Sequence, residues 1–218
     1  GNRIGVNESG PAIGADRAVV WTPDNLYRLT SESMTGDVAG GVGYTYDDAN
    51  NRLTKSATIA GITSQDYTGL IDTTDRITAT GYTWDKNGNM LTDDRGMTYT
   101  YNGLSRLTRV QGTGIDVSYT YNGDGLRVQK TNNITGIITR YLWDTNNVTG
   151  YAQVVEEKEN GVVVRRYVYG PTGPLAQVVK VGTDWVTSYY VKDAQGTVRA
   201  LMAEDGTISD TFTWSAWG

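Results

Sequence analysis

The stretch VSYTYNGDGLRVQK (residues 117–130) decides the fold class. Extended back to Ile115, its first half places Ile115, Val117, Tyr119 and Tyr121 at every second position, with Asp116, Ser118 and Thr120 between them. Side chains of a strand point alternately to its two faces, so this period of two describes a strand with one face packed and one face wet. Val, Thr and Tyr suit such a pleated surface. The next four residues, Asn122-Gly123-Asp124-Gly125, are turn formers. LRVQK then resumes a β-type run, so the stretch reads as one hairpin.

The same phrase recurs along the chain. Clear copies are YTYDDANNRLTK (44–55), YTWDKNGNMLTD (82–93), YTYNGLSRLTRV (99–110) and YTYNGDGLRVQK (119–130). Weaker copies are WTPDNLYRLTSE (21–32), LIDTTDRITA (70–79), YLWDTNNVTGYAQVV (141–155), YVYGPTGPLAQVV (167–179), YYVKDAQGTVRAL (189–201) and TFTWSAWG (211–218). The second aromatic of each phrase recurs at loosely equal spacing: Trp84, Tyr101, Tyr121, Trp143 and Tyr169 are separated by 17, 20, 22 and 26 residues. A period near twenty marks one hairpin-sized unit with loops of variable length. A lone hairpin cannot bury its apolar face, whereas copies laid side by side each cover the edge of the last. The expectation is therefore an all-β fold of sequential hairpin repeats, forming a long curved or spiralling antiparallel sheet. Residues 1–218 are read as one continuous array of about ten hairpin-like units, part of a longer chain. An ordinary β-sandwich is the competing architecture, but it has no need to reuse one phrase.

The repeat positions are the candidate site residues, and their recurrence assigns them to structure. The aromatics Tyr46, Trp84, Tyr101, Tyr121, Trp143 and Tyr169 are expected to be largely buried against the next unit. The acids or amides Asp47, Asp85, Asn102, Asn122 and Asp144 are placed to accept turn N–H groups. The arginines Arg28, Arg52, Arg106 and Arg127 read as one position, stems over aromatic faces and heads on a neighbouring carbonyl or carboxylate. Asn87-Gly88, Asn102-Gly103, Asn122-Gly123, Asp124-Gly125, Asn160-Gly161 and Asp205-Gly206 are expected to supply the positive φ angles of tight turns. A catalytic group is needed once, and none of these occurs once.

Composition narrows the chemistry. The 218 residues contain no Cys and no His. That removes disulfides, thiolate nucleophiles, Cys/His zinc sites and a Ser-His-Asp triad. Fifteen Tyr and six Trp stand against a single Phe, a bias that suits a wall with one dry and one wet side, because the phenol buries area while its hydroxyl finds a partner. Net charge is −5 and the cations are scattered, so nucleic acid is not an expected partner. No apolar run approaches the roughly 18 residues of a membrane span, and membrane insertion is not expected. Asp85-Lys-Asn87-Gly88-Asn89 begins like a calcium loop, but the sixth position is Met90 and the twelfth Gly96, where that loop requires Gly and Glu. No metal and no cofactor is assigned. The adjacent acids Asp47-Asp48, Asp93-Asp94 and Glu156-Glu157 point to opposite faces of a strand and are read as solvated turn or edge charges. Asn7, Asn133 and Asn147 head glycosylation sequons.

Tyr-x-Tyr-Asp, a Gly/Asn turn and Arg-Leu together resemble the YD repeat of the RHS family, the polymorphic toxin shells related to toxin-complex and teneurin shells. The opening GNR resembles the end of a repeat, and YVYGPTGPLAQVV resembles a common late one. KDAQGTVRALMAEDGTISDTFTWSAWG resembles the stretch preceding that family's conserved core; the core's cleavage segment and a toxin domain are not among these residues. The resemblance covers essentially the whole chain. It implies a β-ribbon wound into a hollow shell, with an interior lined by polar and aromatic side chains. The function it implies is a non-catalytic wall or scaffold that encloses a toxin or other cargo, or that builds an extracellular assembly, secreted or at the cell surface. The partners it implies are the remaining parts of an RHS-type chain, an enclosed cargo, or further copies through open strand edges. The alternative is an adhesion module that holds a glycan or a protein on exposed Tyr and Trp.

Overall fold

The computed structural model describes residues 5–8, 17–36, 39–193 and 196–212. Within them every regular element is a β-strand, and every strand pairing is antiparallel between neighbours in sequence. The calls on residues 1–4 and 213–218, including the last two tryptophans, lie outside the described residues.

The first sheet holds β1 (Gly5–Glu8), β2 (Arg17–Pro23), β3 (Leu29–Gly36), β4 (Gly40–Tyr46), β5 (Arg52–Ala57) and β6 (Gln65–Asp66) in that order. The second begins with β7 (Thr83–Trp84), β8 (Met90–Thr92), β9 (Thr98–Tyr101), β10 (Leu107–Gly112), β11 (Ile115–Tyr121), β12 (Arg127–Asn132) and β13 (Ile137–Asp144). It continues, again in order, through β14 (Gln153–Glu159), β15 (Val162–Gly170), β16 (Gly173–Val181), β17 (Asp184–Lys192), β18 (Val198–Ala203) and β19 (Ile208–Thr211). By compactness the chain divides into two units. One comprises Gly1–Ala79 with Lys192–Leu201 and Thr207–Gly218; the other comprises Thr80–Val191 with Met202–Gly206.

The pairing stops between β6 and β7, and the weak copy at 70–79 lies there. It forms a turn closed by one bridge, Ile71 to Ile77, rather than a hairpin of either sheet. Where the second unit starts, Gly81 has φ +95°, and a Cβ there would stand 2.9 Å from the Asp94 Cα. Only glycine accepts both that dihedral and that approach.

The two units bury different things. The first has an apolar cluster of Val19, Met34, Val42, Tyr44 and Ile59, with Trp21, Leu29, Tyr46, Ala57 and Ile62 packed around it. Glu32 sits on the same face, fully enclosed, with one carboxylate oxygen accepting the Trp21 indole N–H at 2.8 Å. Among the described residues of the second unit, no comparable apolar cluster forms. Its pairing register sorts the side chains into two faces. Tyr99, Tyr101, Tyr119, Tyr121, Tyr141, Trp143, Tyr167, Tyr169 and Tyr190 share one face; Thr98, Thr100, Ser118, Thr120, Thr131 and Arg140 share the other. This is the wet-sided wall that the tyrosine bias indicated.

Candidate functional site

The repeated unit is built on one loop that occurs eight times among the described residues. It starts at Asp24, Asp47, Asp72, Asp85, Asp93, Asn102, Asn122 and Asp193. In each, the N–H of the Asp or Asn donates to the carbonyl four residues on, and the N–H three residues on donates back to the Asp or Asn carbonyl. The side-chain Oδ1 accepts the N–H four residues on in all eight, at 2.8–3.1 Å. In five of them it also accepts the N–H two residues on. A short side-chain acceptor thus satisfies donors that the tight loop withholds from the ladder.

The third residue after the Asp or Asn is left-handed every time: Tyr27, Asn50, Asp75, Gly88, Gly96, Ser105, Gly125 and Gly196. This corrects the expectation for two turns. Gly103 and Gly123 do not have positive φ; in YTYNG copies the Asn is the side-chain acceptor, and the left-handed position falls on Ser105 and Gly125. The asparagine's hydrogen bonding, not its pairing with glycine, fixes the turn. Asp144 departs from the pattern. It accepts only the Asn146 N–H, at 2.9 Å. In its longer loop Asn147 takes over, donating to the carbonyls of Asp144 and Tyr151 and accepting from both donors of Thr149.

These contacts hold the loop carboxylates below the usual range. The Arg28 N–H does so at Asp24, the Asn51 amide at Asp47, the Thr74 hydroxyl at Asp72 and the Asn89 amide at Asp85. Asp93 is only 4% exposed, and burial opposes its ionisation. Hydrogen bonds from the Arg95 side chain, the Met97 N–H and the Tyr99 hydroxyl prevail and keep it low. The adjacent acids are therefore not simply solvated: Asp47 and Asp93 organise turns. Glu156 lies 3.3–3.4 Å from Arg166 and Lys158, and Glu157 accepts the Tyr167 hydroxyl at 2.7 Å. Arg166 and Tyr167 come from the neighbouring strand, which a reading along one strand does not see, whereas Lys158 is two residues on in the same strand.

The repeat aromatics are half-buried, and their polar tips reach back rather than forward. Tyr46 donates to the Leu29 carbonyl (2.6 Å), Tyr121 to Leu107 (2.7 Å), Trp143 to Arg127 (3.0 Å) and Tyr169 to Val154 (2.9 Å). Each acceptor belongs to the preceding unit. The expectation of deep burial against the next unit is thus only partly met: these rings are half-buried, and their hydrogen-bonding tips reach the preceding unit. Trp84 and Tyr101 are half-buried as well.

The four arginines fall into two positions. Arg28 and Arg106 are the fourth residue after the loop's Asp or Asn and reach forward. Arg28 donates to the Asp47 carbonyl and Asn50 Oδ1, both at 3.0 Å, and its guanidinium lies 5.0 Å from the Tyr46 ring. Arg106 does the same to Asn122 and Tyr121, at 3.5 and 5.9 Å. Arg52 and Arg127 are the fifth residue and lie over the first aromatic of their own hairpin, Tyr44 at 5.9 Å and Tyr119 at 4.2 Å. Where the fourth residue is Asn it also reaches a later loop: Asn51 donates to Asp75 of the next loop at 2.8 Å, and Asn89 passes over the Asp93 loop to Ser105 of the loop at Asn102, at 3.1 Å. These side chains tie the loop at Asp24 to that at Asp47, Asp47 to Asp72, Asp85 to Asn102 and Asn102 to Asn122. Among the described residues, no three or more carboxylates converge as a metal site would require.

A loop of this form recurring on hairpins of sequential order is the architecture of a YD repeat. The family model of the teneurin YD-shell matches residues 24–218. The chain belongs to the YD-shell family. No curated protein matches it. Among solved structures, this YD-shell chain resembles the Tc holotoxin pore of Photorhabdus luminescens, with 17% identity and a TM-score of 0.55. It also resembles TcdB2–TccC3 without its hypervariable C-terminal region, with 15% identity and a TM-score of 0.61. Each likeness covers 92% of this chain but 12% of the other. At such identity the likeness concerns the fold. The family is a structural β-shell.

Proposed function

We propose that this YD-shell chain is a stretch of wall, without catalytic turnover, in a shell that encloses a toxin or other cargo polypeptide. Its residues form one continuous array of about ten hairpin units, joined to further parts of an RHS-type chain, and act outside the cell or at its surface. The observation that carries the reading is the division of the second sheet into a tyrosine face and a threonine face. On the first face, the Tyr121 and Tyr169 hydroxyls and the Trp143 indole N–H tie their hairpins to the one before. A wall needs such a self-supporting single layer, whereas an enzyme needs a converging set of unequal groups. The repeat positions Tyr46, Asp47, Arg52, Trp84, Asp85, Tyr101, Asn102, Arg106, Tyr121, Asn122, Arg127, Trp143, Asp144 and Tyr169 are joints of that layer. The adhesion reading rests on exposed aromatics such as Tyr27 and Tyr151, which lie on separate loops.

The test is protease protection in the native full-length protein. An enclosed segment stays intact while loops such as 144–152 are cut, and it becomes sensitive once denaturant opens the sheet. A segment digested as fast as the exposed loops contradicts enclosure.

A further inference from the structure

Seven loops bearing carboxylate or amide acceptors precede Asp193, and two of them, at Asn102 and Asn122, carry the amide. The exchange leaves the turn intact, because Asn Oδ1 accepts the same N–H groups at 2.9–3.0 Å. It does change the charge. In the acidic loops Arg28 pairs with Asp24 at 2.7 Å and Arg76 with Asp72 at 3.1 Å. Arg106 stands in the same place beside a neutral amide, and its guanidinium has only the Asn122 carbonyl, at 3.5 Å. Arg127 has the Tyr119 and Tyr121 ring faces and no carboxylate. The Tyr121 ring thus has two guanidinium groups near it, at 5.9 and 6.0 Å, neither of which has an ion-pair partner. The nearby acids do not supply one. Asp124 of the same loop points to solvent, Glu157 is held by the Tyr167 hydroxyl and faces Arg165 across the ladder, and Glu159 lines the next groove together with Lys130.

Beside these cations is a cavity of about 460 Å³ lined by Tyr121, Leu126, Arg127, Tyr141, Trp143 and Val154, with Gly125 at its edge. Gly125 holds φ +86° there, a left-handed dihedral that favours glycine, with the mobile end of the Arg106 side chain beside it. The Tyr121 hydroxyl and Trp143 indole N–H are both spent on backbone carbonyls, so these walls offer ring surface rather than donors. The volume lies in the range of about 300–1,000 Å³ typical of ligand pockets. Ring-lined walls accept a flat aromatic group, and the unpaired guanidinium groups accept a carboxylate in charge-assisted, bidentate fashion.

We infer that this cavity holds an aromatic residue adjacent to an acidic one on a polypeptide segment lying along the tyrosine face. The polypeptide nature of the occupant rests on the wall reading above. Charge complementarity selects the acidic neighbour. The Asp-to-Asn exchange at two successive loops is the sequence device that sets the charge.

The test uses capped dipeptides titrated onto the full chain by calorimetry. Tryptophan–glutamate should bind at least about tenfold more tightly than tryptophan–lysine, the ratio expected from one charge-assisted hydrogen-bonded contact. Arg127→Gln should abolish that preference. Asn102→Asp should abolish it too, by giving Arg106 its own carboxylate while keeping the turn, and it guards against a folding artefact. Equal binding of the two dipeptides, no binding, or a preference that survives both substitutions overturns the inference. So does binding of indole-3-acetate alone with the dipeptides excluded. Dipeptide binding with unprotected cargo would instead sink the wall reading and leave the site standing.

Discussion

Tyr27 holds φ +62° and is 78% exposed, so nothing it packs against repays the left-handed backbone. A side chain in that region costs about 1–2 kcal/mol, partly offset by the greater chain entropy of glycine. Tyr27→Gly should therefore raise stability by up to about 1 kcal/mol, read as a higher urea midpoint; a lower midpoint would show a contact that the geometry lacks. Tyr121→Phe removes one hydroxyl from the Leu107 carbonyl and should cost about 1 kcal/mol. Tyr121→Ala should cost roughly 2–3 kcal/mol, at or below the lower end for core aromatics, because the ring is half-buried. Ionisation bounds the stable range on both sides. Arg109 holds Asp116 down to about 2, and the loop aspartates are lowered as well. Their stabilisation is present above the ordinary carboxylate value of about 4 and is lost as pH falls through the lowered values. Burial pushes Tyr44 and Tyr167 up to about 12. Their contribution is complete below the ordinary phenol value of about 10 and is lost as pH rises toward 12. Urea midpoints should be flat from pH 5 to 9 and fall beyond both limits; a midpoint that climbs below pH 4 would refute the assignment.

At the scale of the hairpin, the strands were legible because alternation such as Ile115-Val117-Tyr119-Tyr121 survives every neighbour. The loops were legible only in part. Asp47, Asp85, Asn102 and Asn122 follow a Tyr-x-aromatic signature, but Asp24, Asp72, Asp93 and Asp193 make the same loop without it. Their available signal was the five-residue spacing from the acid to the resumption of a β-run. The direction of each aromatic tip was not legible, since it depends on which carbonyl the previous hairpin leaves at the sheet edge. The split of the arginines into two positions hangs on one inserted residue in each of two loops: Asn51 between the left-handed Asn50 and Arg52, and Leu126 between the left-handed Gly125 and Arg127. The interruption near residue 80 is the element most sensitive to a single change. Gly81→Ala should destabilise by about 2 kcal/mol or more, since it combines a disallowed dihedral with a backbone clash. A thermal melt unchanged by that substitution would mean that the approach to Asp94 is not required.

At the scale of the whole molecule, strands that are neighbours in sequence are neighbours within each of the two sheets, so within a sheet each hairpin depends on the one before it. The proposed wall gives the two faces of that layer different fates. In that proposal the tyrosine face is the one turned toward the cargo and the threonine face the one turned toward solvent. The absence of cysteine makes this directly measurable. Single cysteines at Ile137 and Ser188 report on the first face, and one at Thr120 reports on the second. In the native full-length protein, each is treated with a small maleimide and with one carrying a 5 kDa polymer. The account predicts that Thr120→Cys reacts with both reagents, while Ile137→Cys and Ser188→Cys react with the small one and resist the large one until denaturant is added. Equal reaction of all three with the large reagent in the native protein would contradict it.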